Sequence, residues 1–297
     1  SVSAFLLNRS SDLLVVTLDN DYEYISTDTG TNGITISSAI TVDGQGHTID
    51  AKGSSRIFYV SASNVVLKNI IFKNGYNAGN GGAIYVATDD ITIINCTFIN
   101  NVADKGGALY SNAYSRLGNV INSTFINNRA NSNGGAIFNY GNTGTVDGCT
   151  LVNNTAGTSI IYTYQAITVQ NSILVNNNAG KIFSAYNPTI TANNNWWGNT
   201  ADDYQNSPVG LGSGVTVNNY YVLNMTLDNP AGATVSLNNL YQNGAVNPDD
   251  NYALPSIKLG VVGKGIVVGG NVVLPSSGVG TIGYTPADAY VLTVSYN

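Results

Sequence analysis

Three times this chain repeats nearly the same five residues: Gly81-Gly82-Ala83-Ile84-Tyr85, Gly106-Gly107-Ala108-Leu109-Tyr110 and Gly134-Gly135-Ala136-Ile137-Phe138. Each is followed by a second motif: Asn95-Cys96-Thr97-Phe98-Ile99-Asn100-Asn101, Asn122-Ser123-Thr124-Phe125-Ile126-Asn127-Asn128 and Gly148-Cys149-Thr150-Leu151-Val152-Asn153-Asn154. An internal repeat constrains architecture before any other signal, because each unit must bury its apolar face against the next copy. Aligned on the second motif, units begin at Asn69, Asn95, Asn122, Gly148, Asn171 and, more loosely, Asn194. That recurrence, about 23–27 residues, suits one turn of a solenoid. Each unit holds short stretches rich in Ile, Val, Phe and Thr, separated by Gly and Asn, and no helical period runs through them. The pattern predicts an all-β chain with one turn of parallel β-solenoid per unit.

Columns read down the repeat agree. Leu67, Ile93, Val120, Val146 and Val169 form one apolar column, and Phe72, Phe98, Phe125, Leu151, Leu174 and Trp197 another. Both are expected inside. Lys68, Ile94, Ile121, Asp147 and Gln170 mix charge with Ile and are expected outside. Asn and Gly alone occupy the column between them, so a left-handed backbone corner is expected there. The next asparagines, Asn74, Asn100, Asn127, Asn153 and Asn176, are expected to stack as a side-chain amide ladder. Phe58, Tyr85, Tyr110, Phe138, Tyr162 and Phe183 form an aromatic column beside the aliphatic Ile57, Ile84, Leu109, Ile137, Ile161 and Ile182. If the aliphatics face the core, the rings face out and could stack on sugars or a partner chain.

Composition supports stacked β-structure. Charged residues make up 9% of the 297 residues, against roughly 25% in ordinary globular chains, and 19 tyrosines share the polar role with Asn, Ser and Thr. A net charge of −6 with no basic patch argues against nucleic acid as a partner. No apolar run is long enough to be a transmembrane helix. Starting at Ser1 with no charged segment leading into an apolar stretch, the chain reads as a secreted protein after signal-peptide removal. Cys96 and Cys149 hold one column position two rungs apart, about 9.6 Å at the rung spacing. They are therefore expected to be free, buried thiols and not a disulfide.

The Gly-Gly-Ala-Ile and Phe-x-Asn-Asn pattern resembles the repeats of the chlamydial polymorphic membrane proteins. It is more similar still to the large adhesin-like surface proteins of methanogenic archaea, in which Asn194-Asn195-Trp196-Trp197-Gly198 would close the rungs. Ile40-Thr41-Val42-Asp43-Gly44-Gln45-Gly46-His47-Thr48-Ile49 is similar to the opening rungs of right-handed β-helices. The resemblance covers about residues 34–230. It implies a right-handed parallel β-helix, a following immunoglobulin-like domain and an extracellular, cell-surface location.

Three segments follow from these readings: 1–24 as an extension, cap or donor strand, 25–217 as the β-helix, and 218–297 as an immunoglobulin-like β-sandwich. The last rests also on alternating apolar residues with turn signals every 8–12 positions; within it, Gly260–Gly265 reads as a hairpin turn. Val2, Ala4, Phe5, Leu6 and Leu7 could cap the first rung or complete a sheet in a neighbouring copy. Strand donation would give head-to-tail self-assembly, an open filament. The sequons at Asn8, Asn95, Asn122, Asn153 and Asn224 are candidate glycosylation sites. Asn8 and Asn224 are the better ones, since the others fall in predicted corners or in the amide ladder.

Catalysis finds little support. Glycoside hydrolysis needs two carboxylates about 5–9.5 Å apart. The acidic residues number 17, and only Asp89-Asp90 and Asp202-Asp203 are adjacent in or near the rungs. Neighbours on a strand point to opposite faces. His47 is the single histidine, so no histidine-based metal site or triad is expected, and no cofactor is implied. The expectation is a non-catalytic surface protein, adhesin-like or filament-forming, whose partners are copies of itself and surface polysaccharide or glycoprotein. A β-helix that binds or cleaves polysaccharide is the alternative.

Overall fold

A computed structural model describes residues 14–25, 32–113, 116–186, 189–198, 212, 214–228, 232–241, 254–263, 265–268, 271–274, 279–286 and 292–296. Those residues form β-structure without helices, built on a parallel β-solenoid of about seven turns. Four parallel sheets make its walls. Sheet I has nine strands, from Leu14–Thr17 to Val215–Thr216, and sheet II has seven, from Tyr22–Glu23 to Ile173–Val175. Sheet III also has seven, from Ile34–Ile36 to Lys181–Ala185, and sheet IV has four, from Tyr76–Asn80 to Thr155–Ala156. A full rung runs I, II, IV, III, and back to I one level up.

The repeated motifs are the corners of this path. Asn69, Asn95, Asn122, Gly148, Asn171 and Asn194 all lie at φ between 48° and 62°, where the chain turns from sheet I to sheet II. The left-handed region strains most side chains but is tolerated by Asn and Gly, which accounts for the composition of the column. Asn74, Asn100, Asn127, Asn153 and Asn176 are a second left-handed corner, at φ 53° to 56°. They are not the amide ladder expected of them. That ladder lies one residue on, in Asn101, Asn128, Asn154 and Asn177, all buried. Each side-chain oxygen accepts from the backbone N–H of the rung below, as Asn128 does from Asn101 at 3.0 Å. Each amide donates to a carbonyl below, as Asn128 does to Phe98 at 2.9 Å.

In the first motif the glycines have separate reasons. Gly106 has φ 63°, and a Cβ there would meet the Leu109 carbonyl oxygen at 2.4 Å. Gly107 sits where a Cβ would lie 2.3 Å from the Gly135 carbonyl oxygen one rung up. The two glycines thus permit a tight turn and close rung stacking, respectively. The alanine and aliphatic residue that follow point into the core, fully buried.

Inside, Phe72, Phe98 and Phe125 stack with centroids 4.9 and 4.7 Å apart. Leu151, Leu174 and Trp197 continue that column, and the Leu67-to-Val169 column is buried as expected. Cys96 and Cys149 are free and buried, and burial pushes each thiol up to about 12. They alternate with serines, the Cys96 N–H donating to Ser123 Oγ at 3.1 Å and the Cys149 N–H to Ser172 Oγ at 3.0 Å.

The ladder starts earlier than the boundary expected at residue 24. Leu14–Thr17 pairs in register with Ile40–Asp43, and Tyr22–Glu23 pairs with Thr48–Asp50. The proposed donor residues Val2, Ala4, Phe5, Leu6 and Leu7 lie outside the described residues, as does Asn8. After the last rungs, antiparallel strands make a four-stranded and a three-stranded sheet. Ile257–Gly263 belongs to the three-stranded sheet and Gly265–Val268 to the four-stranded one. The glycine-rich stretch therefore moves the chain between sheets and is not the expected hairpin.

Trp196 and Trp197, adjacent residues just past Ile190–Asn193, point to opposite sides and join the two parts. Trp197 enters the solenoid core, while Trp196 faces out and is buried with Val152, Ile173 and Val175 of sheet II beneath Val235, Leu237 and Ile257. The outer face of sheet II is apolar at this end because the C-terminal strands cover it.

Candidate functional site: the aromatic face of sheet III

The strands of sheet III alternate in and out, so Ile84 and Val86 are buried while Tyr85 faces outward between them. Register places Tyr59, Tyr85, Tyr110, Phe138 and Tyr162 in one outward column. Successive centroids lie 5.2, 5.1, 5.0 and 5.0 Å apart, with interplanar angles of 22° or less. Four of the six residues expected in this column are thus brought together. Phe58 and Phe183 are not. Phe58 pairs with Ile84, Phe183 pairs with Ile161, and both are in the core. Tyr59 and Ser184 take the outward positions instead. Neither the Phe58 strand nor the Phe183 strand follows a Gly-Gly pair, so the repeat does not mark which of their residues faces outward.

Stacking changes what the column can do. Each ring spends its faces on its neighbours, leaving edges and hydroxyls to solvent. Phe138 and Tyr110 are 2% and 7% exposed, so the middle of the column offers almost no face to a ligand. Burial, followed by the neighbouring tyrosines, pushes the Tyr110 phenol up to about 12. At the sheet IV side, the Arg56 guanidinium lies 4.9 Å from the Tyr85 centroid and Lys105 Nζ 5.9 Å from that of Phe138. Arg56 is buried and donates to the carbonyls of Gly81 and Asn80 at 2.9 and 2.5 Å.

A second outward column was missed in the sequence reading. Tyr140, Tyr164 and Tyr186 follow the strands of successive rungs, each N–H bonded to the strand below. Tyr140 and Tyr164 have centroids 4.1 Å apart at 64°, and Tyr164 and Tyr186 5.0 Å apart at 30°. Tyr186 is 69% exposed. The signal was present as Phe138-x-Tyr140 and Tyr162-x-Tyr164, since residues two apart share a sheet face. On sheet III the more accessible rings are therefore the half-buried Tyr140 and Tyr164 and the exposed Tyr186.

The remaining candidates fall elsewhere. Asn95, Asn122 and Asn153 are exposed at their corners, so Asn153 is not withdrawn into the buried ladder; Asn224 is exposed on a strand of the four-stranded sheet. His47 Nδ1 lies 3.3 Å from Asp21 Oδ1. A depression of about 270 Å³ on the outer face of sheet I is floored by Thr145, Thr168 and Thr191. Its one carboxylate, Asp90, is held by Arg116 at 2.7 Å, which is no acid/base pair of the kind glycoside hydrolysis needs. Asp202 and Asp203 lie outside the described residues. No group of three or more His, Cys, Asp or Glu side chains that could hold a metal occurs among the described residues, and no described helix is long and apolar enough to cross a membrane.

The model of the Chlamydia polymorphic membrane protein repeat matches residues 95–112 and 122–140. These are two successive rungs, and they carry Tyr110 and Phe138 of the first aromatic column and Tyr140 of the second. No curated protein and no solved structure matches the chain.

Proposed function

We propose that the chain is a non-catalytic, extracellular cell-surface protein of adhesin-like type. The solenoid serves as a rigid spacer, and sheet III presents the contact face. The observation that carries this reading is the match of two consecutive rungs to the polymorphic membrane protein repeat, in a solenoid with two outward aromatic columns on sheet III. Tyrosine combines a large apolar ring with a polar tip and is favoured at contact surfaces. Within the same reading the solenoid is right-handed, as parallel crossovers overwhelmingly are. The two antiparallel sheets form an immunoglobulin-like sandwich, and the partners are surface polysaccharide or glycoprotein and other copies of the chain. Head-to-tail strand donation would use the apolar Val2, Ala4, Phe5, Leu6 and Leu7.

Immunogold labelling of intact source cells tests the location: label on the outer surface is expected, and label confined to the cell interior overturns it. Attachment of cells to a surface in the presence of antibody Fab fragments against the folded chain tests the role. Inhibition is expected, and unimpaired attachment by coated cells would reject it.

A further inference from the structure

Tyr164 has four aromatic neighbours, Tyr140, Tyr186, Tyr162 and Phe138, with centroids at 4.1, 5.0, 5.5 and 6.1 Å. The contact with Tyr140 differs in kind from the others. Ordinary aromatic pairs hold their centroids roughly 4.5–7 Å apart. These two are nearer than that and inclined at 64°, so the edge of one ring lies against the other. Asn139 and Thr163 are in register, so the two side chains leave equivalent positions of adjacent rungs. Both rings are half-buried, and Tyr186 beside them is 69% exposed. No disulfide ties these rungs, because both cysteines of the chain are free and buried.

We propose that Tyr140 and Tyr164 are a site of oxidative cross-linking, joined as dityrosine by a one-electron oxidant of the peroxidase class. Each phenol gives up one electron and its hydroxyl proton. The two radicals couple through ring carbons ortho to the oxygens, and the hydrogens on those carbons move to the oxygens as the rings regain aromaticity. Hydrogen peroxide, acting through a haem peroxidase, takes up the two electrons and two protons and leaves as two waters. Little movement is needed. Two directly bonded six-membered rings hold their centroids about 4.3 Å apart by standard bond lengths, and the separation here is 4.1 Å. The first column is a poorer site. Its rings are stacked face to face about one rung apart, as Tyr59 and Tyr85 are at 5.2 Å and 11°, and Phe138 within it has no phenol. The new bond would tie two rungs covalently, and it needs neither a ligand nor the adhesin role.

Treatment of the dilute full chain with a haem peroxidase and hydrogen peroxide tests the proposal. The expected product is a monomer lighter by two hydrogen atoms, with dityrosine fluorescence. After proteolysis, mass spectrometry should find the peptides of Tyr140 and Tyr164 joined. Tyr140→Phe and Tyr164→Phe should each lower the yield of that product about tenfold or more, whereas Tyr59→Phe should leave it unchanged. Each substitution keeps the ring, and a circular dichroism spectrum like that of the wild type will show the fold retained. The same treatment of the chain unfolded in urea should show no preference for this pair. Recovery of the chain at its original mass overturns the proposal, as does a link formed mainly between other tyrosines. Covalent dimers through Tyr186 in place of the internal link, or an equal yield of the Tyr140–Tyr164 link from the unfolded chain, overturn it as well.

Discussion

The side-chain amide of Asn128 donates to the side-chain oxygen of Asn154, one rung further along, at 3.0 Å. The same amide donates to the Phe98 carbonyl at 2.9 Å, and its oxygen accepts from the Asn101 N–H at 3.0 Å. The polar groups that the second corner would leave buried are thereby satisfied between rungs and not within one.

Replacing Asn128 by Ala should therefore strand the Asn101 N–H and the Phe98 carbonyl in the interior. Each buried orphan costs about 1–3 kcal/mol, so a loss of about 3 kcal/mol is expected in urea unfolding. The exposed corner variant Asn127→Gly, which keeps the left-handed turn, should stay within about 1 kcal/mol of wild type. Equal losses at the two positions would contradict the assignment of the ladder to the second asparagine.

Gly107→Ala tests whether the Gly-Gly pair is required by stacking. Its Cβ would press on backbone atoms, the Gly135 carbonyl oxygen at 2.3 Å and the Arg129 carbonyl carbon at 2.6 Å. Only movement of one rung against the next relieves that clash, and a cost of at least about 3 kcal/mol is expected. Gly53→Ala is the comparison. Its φ of 71°, unlike that of Gly107, is unsuited to alanine, but nothing lies within 4 Å of the new Cβ, so about 1 kcal/mol should be lost. Thermal melts of the two variants distinguish local backbone strain from rung packing.

Alkaline unfolding should be sensitive to Tyr110. Burial raises its phenol to about 12, whereas in the unfolded chain it titrates near 10. The folded state then holds more protons between those values, so stability falls as pH rises from about 10 toward 12. Tyr110→Phe removes that liability in a column that already accepts Phe138. The variant should fold normally and begin to unfold at higher pH than wild type, followed by circular dichroism across an alkaline titration. An unchanged onset would show that Tyr110 does not set it.

Trp196→Ala should loosen the C-terminal sheets without emptying the solenoid core. Trp196 is 1% exposed in the cluster it forms with Val152, Ile173, Val235, Leu237 and Ile257. Truncating a buried tryptophan costs about 3–5 kcal/mol. The loss should appear in hydrogen exchange as faster exchange in Gly232–Tyr241 and Ile257–Gly263, with the strands around Phe98 unchanged. Uniformly faster exchange would mean that the two parts unfold as one unit.

The sequence alone determined the solenoid, because its evidence is repetition. Leu67, Ile93, Val120 and Val146 are spaced one turn apart, and in a parallel stack each such residue meets its own copy. The left-handed Asn corners were legible for the same reason, since few residue types tolerate that conformation in every rung. What only the tertiary structure decided was register at the places where repetition fails. Phe58 and Phe183 lack the Gly-Gly pair before them, and nothing local says whether a lone phenylalanine faces in or out of a strand. The amide ladder went to Asn128 and not Asn127 because two consecutive asparagines are equivalent until a corner turns one of them inward. Trp197 was legible as a core residue from its column, but Trp196 was not, because its place needs a second layer over sheet II. The candidate face followed the same rule. Stacking consumed the column read from sequence, and the half-buried Tyr164 and exposed Tyr186 emerged where one sheet brings successive rungs side by side.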